Sequence, residues 1–346
     1  MLPPREGFSP EAVGAIGLLV HRLSTDAETI IGAPLAGPAF AGRRFVAAEA
    51  GRWPLVGPGR YTEAVARVLR RLRPTRIEVH NRPEIARGLS RRFPGVPLTL
   101  FLHNDPQAMR RARSPTARAS LLTRMRVVCV SETLRARFLE GVRTPHTVAV
   151  LPNCIDLDDI PPSPPARERL ILFAGRMVAD KGADAFVAAC AQALPRLEGW
   201  RAAMIGADRF AAASPQTPFL AALRPAAEAE GIALLGYLPH ARVLEAMAQA
   251  AIVVVPSRWQ EPFGMTALEA MACGAALIVS KRPGLLEVVG DAALLAEPDP
   301  PEMLAETIVG LAGDAALQRR LGALGRARAA CFARPIARAR LEALRA

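Results

Sequence analysis

Glu261 and Glu269 have seven residues between them, and Gly264, Met265 and Thr266 lie inside that interval. The run 251–255 ahead of them is short, apolar and β-branched, the pattern of a buried parallel strand. Pro256 and Pro262 then hold a loop open, since each fixes φ and removes a backbone donor. Apolar residues at helical spacing follow over 264–273 and stop at Gly274, a C-terminal cap. Strand, loop and helix in this order put the helix start at the carboxyl end of a strand, where open α/β sheets bind ligands. The N–H groups of Gly264, Met265 and Thr266 would stand there at the positive end of the helix dipole and hold a phosphate. A diphosphate between the two acids leaves one acid near a sugar and the other near a nucleoside ribose. A helix with an exposed Glu at each end has the same spacing, so two bare glutamates leave both readings open.

The whole string over 261–274, EPFGMTALEAMACG, resembles the donor-site signature of the retaining glycosyltransferases of family 4. The E-P-F-G, the second Glu and the A-M-A-x-G all stand in register. The resemblance implies the GT-B fold: two facing α/β, Rossmann-like domains with parallel sheets and a cleft between them. It also implies transfer of a sugar from a nucleotide-diphosphate sugar to a saccharide acceptor with retention of configuration. The donor is then a co-substrate, and neither a cofactor nor a metal is expected.

The same resemblance assigns further residues. Arg176 and Lys181, in LILFAGRMVADKG, match the pair that neutralises the leaving nucleotide. Lysine is also notable on its own terms, because the chain has Lys181 and Lys281 against 42 arginines. An ammonium is a compact point charge that fits on a diphosphate where a planar guanidinium needs more room. His103 follows the strand over 98–102 and matches the histidine that faces the donor sugar, so Glu261 and His103 take the catalytic positions. His80 ends the strand over 76–79 and has a looser match, near the acceptor. Gly14 matches the first of two adjacent glycines that approach the diphosphate, and Ala15 stands in place of the second. Glu269 is assigned to the donor ribose.

These residues need two domains to position them, and 346 residues exceed what one core usually organises. Alternating strands and helices imply parallel sheets with right-handed crossovers. The expected division is an acceptor-side domain over 1–155, a linker over 156–168, a donor-binding domain over 169–330, and a terminal helix over 331–346 that crosses back. The first domain is expected to lack its first strand, which lies upstream of Met1 or is replaced by another segment, because Pro3 and Pro4 cannot donate to a ladder. Ser9 and Pro10 are read as the cap and first residue of a helix running to about Leu23. Gly57–Gly59 is read as a turn. Asp156-Leu157-Asp158 has the form of a metal-binding D-x-D, but it lies in a proline-rich linker without a partner His or Glu.

Composition limits the partners. The five cysteines are scattered and odd in number, which reads as free thiols in a reducing cytoplasm. No apolar run reaches the ~20 residues of a membrane span. Residues 1–165 carry 24 Arg and Lys against 14 Asp and Glu, and 166–346 carry 20 against 18. The first half therefore prefers an anionic partner, and it has no nucleic-acid module. An anionic membrane face at the cytoplasmic side, a lipid-linked saccharide or another anionic acceptor fits the asymmetry, as does a solvated surface. Arg110, Arg111, Arg113, Arg118, Arg124 and Arg126 form its densest cluster, either an anion-docking patch beside the acceptor or a solvated helix face.

Overall fold

The computed structural model describes residues 1–49, 58–208 and 216–346. The chain divides into two compact units, Met1–Asn153 with Ala337–Ala346, and Cys154–Ile336.

The first unit opens with a hairpin of β1 (Phe8–Ser9) and β2 (Ala12–Val13), followed by α1 (Ala15–Leu23) with Gly14 as its N-cap. The helix read from Ser9 and Pro10 therefore starts later. Ser-Pro is equally suited to a tight turn, and the Ser9 hydroxyl accepts the N–H of Ala12 at 3.1 Å. Phe8 decides the matter: it is fully buried, packed edge-on to Phe40 and stacked on Phe45, and the extended hairpin puts it there.

Next come β3 (Thr29–Gly32), β4 (Arg44–Ala47), α2 (Pro58–Leu72), β5 (Ile77–His80), α3 (Pro83–Arg92) and β6 (Leu98–Leu102). Then follow α4 (Pro115–Leu122), β7 (Arg126–Cys129), α5 (Glu132–Leu139) and β8 (Ala149–Val150). Gly57 of the Gly57–Gly59 turn lies outside the described residues, and Gly59 is already helical.

Strands β3 and β4 form one parallel ladder, and β5-β6-β7-β8 form another. Met1 and Leu2 join the two. The Met1 amine donates to Glu78 O at 2.7 Å and Met1 O accepts the N–H of His80 at 3.1 Å, while Leu2 N–H donates to Ile31 O at 2.8 Å. Two residues thus make the rungs of the central strand before Pro3 ends the donors. Leu2 is fully buried, and the Tyr61 hydroxyl donates to its carbonyl at 3.2 Å. At the other end of the chain, Arg345 bonds both carboxylate oxygens of Glu78 at 2.8 Å and Glu28 at 2.7 Å.

The second unit begins with β9 (Glu168–Ala174), α6 (Ala183–Ala193), β10 (Arg201–Ile205), α7 (Pro218–Ala229), β11 (Ala233–Leu234) and α8 (His240–Gln249). It continues with β12 (Ala250–Val255), α9 (Met265–Cys273), β13 (Ala276–Val279), α10 (Pro283–Val289) and β14 (Leu294–Leu295). Helices α11 (Pro301–Gly313), α12 (Ala315–Ala330) and α13 (Arg334–Arg345) complete the chain. The sheet is parallel throughout, in the order β11-β10-β9-β12-β13-β14. Ile171, Phe173, Ile252, Val254 and Ile278 from its strands pack with Phe186 of α6 in the core. All five cysteines are free thiols, and only Cys331 is exposed. No helix among the described residues is long and apolar enough to cross a membrane.

Candidate functional site

Strands β9 and β12 are neighbours at the centre of the second sheet, and strand order reverses there. Such a switch point opens a crevice at the carboxyl ends of the strands. The loops leaving β9 and β12 line it, and backbone bonds tie them together. Asp180 O accepts the N–H groups of Arg258 and Trp259, both at 2.9 Å. Arg258 reinforces the join, bonding Asp184 at 2.7 Å and both oxygens of Asp299 at 2.6 and 2.7 Å. Gly182 lets the loops meet: its φ is +70°, and a Cβ there would lie 1.9 Å from Pro256 O.

Lys181 and Glu261, eighty positions apart in sequence, are brought into contact by this arrangement, the ammonium donating to the Glu261 carboxylate. The Ser257 hydroxyl also donates to Glu261, at 2.9 Å. Glu261 is buried, so these donors replace the water it has lost. Arg176 lies partly buried in the turn after β9.

Gly264 caps the start of α9 with φ +90°, and as a glycine it supplies no side-chain cap. A Cβ on Gly264 would lie 2.5 Å from Leu285 Cδ2, so this opening requires glycine twice over. Gly264, Met265 and Thr266 remain partly exposed, whereas Ala267–Cys273 are buried. Glu269 is therefore a carboxylate in an apolar helix. His240, the first residue of α8, meets it with Nε2 at 2.8 Å from Oε1. Sequence reading missed His240; the signal for it was an acid among buried neighbours, which requires a partner.

In the first unit His80 and His103 end adjacent strands, and their rings meet, Nδ1 of His80 lying 3.0 Å from Nε2 of His103. Both are buried. Burial depresses both basicities, His103 to about 3, and His80 is lowered further by the charge of its partner. One hydrogen bond joins the two neutral rings. Asn81, at φ +56°, accepts the backbone N–H of His103 at 3.1 Å and fixes where that strand ends. His80 is thus a support for His103.

Gly14 has a different neighbour from the one its motif implies. The Glu6 carboxylate occupies the start of α1, accepting the N–H of Gly17 at 2.8 Å and bonding that of Ile16. Burial raises the pKa of Glu6, an effect that these backbone donors oppose. A Cβ on Gly14 would lie 2.4 Å from Glu6 Oε1. The chain's own acid holds the helix start assigned to the diphosphate.

The arginine cluster divides. Arg118 is almost fully buried and donates to four main-chain carbonyls, of Phe138, Ala112, Arg113 and Glu140. It is a strut between α4 and the end of α5 and does not belong to an anion patch. Arg110 and Arg111 are exposed and border a cavity of the first unit. Asp156 accepts the N–H of Asp158 at 3.4 Å and pairs with Arg334. Among the described residues no group of three His, Cys, Asp or Glu side chains gathers as metal ligands.

Residues 158–328 match the family described as glycosyl transferases group 1, and residues 29–159 match Glycosyltransferase Family 4. The chain is 32% identical over 182 residues to exopolysaccharide phosphotransferase SCO2592 of Streptomyces coelicolor, a match covering 51% of this chain and 18% of that protein. It is 29% identical over 195 residues to the D-inositol 3-phosphate glycosyltransferase of Segniliparus rotundus, covering 53% of this chain and 42% of the relative. The matches span less than half the length of these curated relatives. Among solved structures, sucrose-phosphate synthase from Thermosynechococcus elongatus has a TM-score of 0.81 at 20% identity, over 99% of this chain and 97% of that one. Anabaena HepE in complex with UDP and glucose has a TM-score of 0.79 at 20% identity, over 100% and 99% of the two chains.

Proposed function

Because this chain belongs to glycosyltransferase family 4 and has the GT-B fold, we propose that it moves a hexose-type sugar from a nucleoside-diphosphate sugar to a saccharide acceptor, with retention of configuration and without a metal. The observation that carries this reading is the joining of Lys181, Glu261 and the uncapped start of α9 at one switch-point crevice. As the bond to the sugar breaks, negative charge grows on the diphosphate and positive charge on the anomeric carbon. Arg176, Lys181 and the first N–H groups of α9 answer the former. Glu261 and His103 position the sugar, and Glu269 holds the nucleoside ribose. Retention follows from attack on the face the leaving group vacates, with the departing phosphate taking the acceptor's proton.

The acceptor is a saccharide or lipid-linked saccharide of cell-envelope or extracellular polysaccharide synthesis, met at the cytoplasmic face of an anionic membrane. The name of the exopolysaccharide relative supports this class, and so does the positive first half of the chain. A second reading, a non-catalytic nucleotide-sugar-binding subunit, is favoured by one observation, the Glu6 carboxylate at the start of α1. Incubation with uridine- and guanosine-diphosphate hexoses separates the two. Release of nucleoside diphosphate in EDTA, lost in Lys181→Ala, is the expected result. Stoichiometric binding without turnover across donors and saccharide acceptors would establish the binding subunit instead.

A further inference from the structure

A cavity of about 290 Å³ in the first unit is walled by Arg87, Arg91 and Arg92 of α3, by Arg110 and Arg111 beyond β6, and by Glu84. Gly59 and Thr62 of α2 close another side. Arg92 is held by Glu63 at 3.1 Å. Among the described residues no ion pair engages Arg87, Arg91, Arg110 or Arg111, and Glu84 is the one acid on a lining that carries five guanidinium groups. Burial, followed by the charges of Arg91, Arg111 and Arg124, pulls Arg87 below the usual arginine range. Like charges gathered on a concave wall repel one another, and a bound anion relieves that repulsion. Arg111 also sits at φ +71°, a left-handed backbone conformation that favours glycine and that arginine rarely adopts.

We propose that this cavity binds a phosphate group of the acceptor, as a phosphomonoester or a diphosphate. Guanidinium forks match phosphate oxygens in pairs. The volume, about 290 Å³, stands at the lower edge of the roughly 300–1,000 Å³ of small-molecule pockets and has room for a phosphate and little more than one sugar ring. The inference deepens the proposed activity and rests on it for the word acceptor; phosphate binding itself does not depend on it. A phosphorylated saccharide and the headgroup of a lipid-linked one present the same chemistry.

The test uses inorganic pyrophosphate, titrated calorimetrically into full-length protein carrying Lys181→Ala, so that the crevice of the second unit contributes little. Pyrophosphate is expected to bind, more weakly as salt rises. Adding Arg87→Gln and Arg111→Gly should weaken binding at least about tenfold, the loss of charge-assisted contacts. Arg111→Gly removes the guanidinium while suiting the left-handed backbone, so unchanged thermal unfolding is its control. A second arm sediments the same proteins with vesicles containing phosphatidylglycerol. Arginine-dependent binding to vesicles but not to pyrophosphate makes a lipid headgroup the source of the phosphate; binding to pyrophosphate makes it a soluble group. Equal binding with and without the two arginine changes, or no binding in either arm at low salt, overturns the proposal. Pyrophosphate binding in the Lys181→Ala protein, together with no sugar transfer by the protein that keeps Lys181, retires the transferase reading and leaves the cavity assigned.

Discussion

Lys181 is the residue on which the donor assignment is most exposed. Its ammonium is partly buried and faces the Glu261 carboxylate, which keeps the Ser257 hydroxyl as a donor in Lys181→Ala. The substitution costs some stability for the buried acid and removes one charge-assisted contact from the donor. Nucleoside diphosphate should bind about 1.5–3 kcal/mol more weakly by calorimetry. His240 and Glu269 fail together. In His240→Ala the acid stays buried without a partner, a loss of about 1–3 kcal/mol in urea unfolding, and the double substitution with Glu269→Ala should cost less than the sum of the singles. Glu269→Ala alone should weaken binding of the free nucleotide. The family resemblance of the string over 261–274 singled out Glu261 and Glu269, and resemblance together with the scarcity of lysine singled out Lys181. The sequence was silent on which of them touch, because contacts between residues 181 and 261 or 240 and 269 depend on strand order, which no local pattern records.

At the scale of elements, Arg118 and the two strand-end histidines make separate demands. Arg118→Met removes a strut bonded to four carbonyls. It should lower stability by about 2–4 kcal/mol in urea and leave anion binding by the first unit unchanged. The histidine pair predicts acid lability. Both are held neutral in the folded chain, His103 down to about 3, while the unfolded chain takes up protons below about pH 6.5. Their contribution is complete above that value and is lost as pH falls toward the folded value. Between pH 7 and pH 5 one such histidine removes about 2 kcal/mol. His103→Gln should flatten the fall in urea midpoint over that interval. Alternating apolar runs made nearly all the strands legible. The hairpin at Phe8–Val13 was not, since Ser-Pro serves a turn and a helix start equally, and the choice came from the burial of Phe8 among Phe40 and Phe45.

For the whole chain, each unit carries a parallel sheet built outward from its first strand. In the second unit that strand is the seven-residue β9, and in the first Met1 and Leu2 stand in that place. Sequence reading expected the first strand upstream of Met1 or replaced by another segment and did not anticipate that Met1 and Leu2 would bond on both sides, because a run so short has no periodicity to detect. The charge imbalance was legible only as a total. Folding spends part of it on a strut, Arg118, and gathers part of it around one cavity. A nucleoside diphosphate at about a hundred times its Kd should stabilise the second unit by about 2.7 kcal/mol. Hydrogen exchange should then slow over 175–182 and 256–266, while amides of β5 and β6 keep their rates.

The contact of Lys181 with Glu261 sets a rhythm for turnover. Before the donor arrives the ammonium has an anionic partner, which the diphosphate must displace, and after the sugar has left Glu261 competes to reclaim it. In the proposed reaction the carboxylate would thereby be an ejector of product. Glu261→Gln should lengthen the residence time of nucleoside diphosphate severalfold, seen as slower dissociation in a stopped-flow chase, with each point of competition worth about 1 kcal/mol. An unchanged or faster dissociation would mean that the lysine changes partners without cost, and that the step limiting release lies elsewhere.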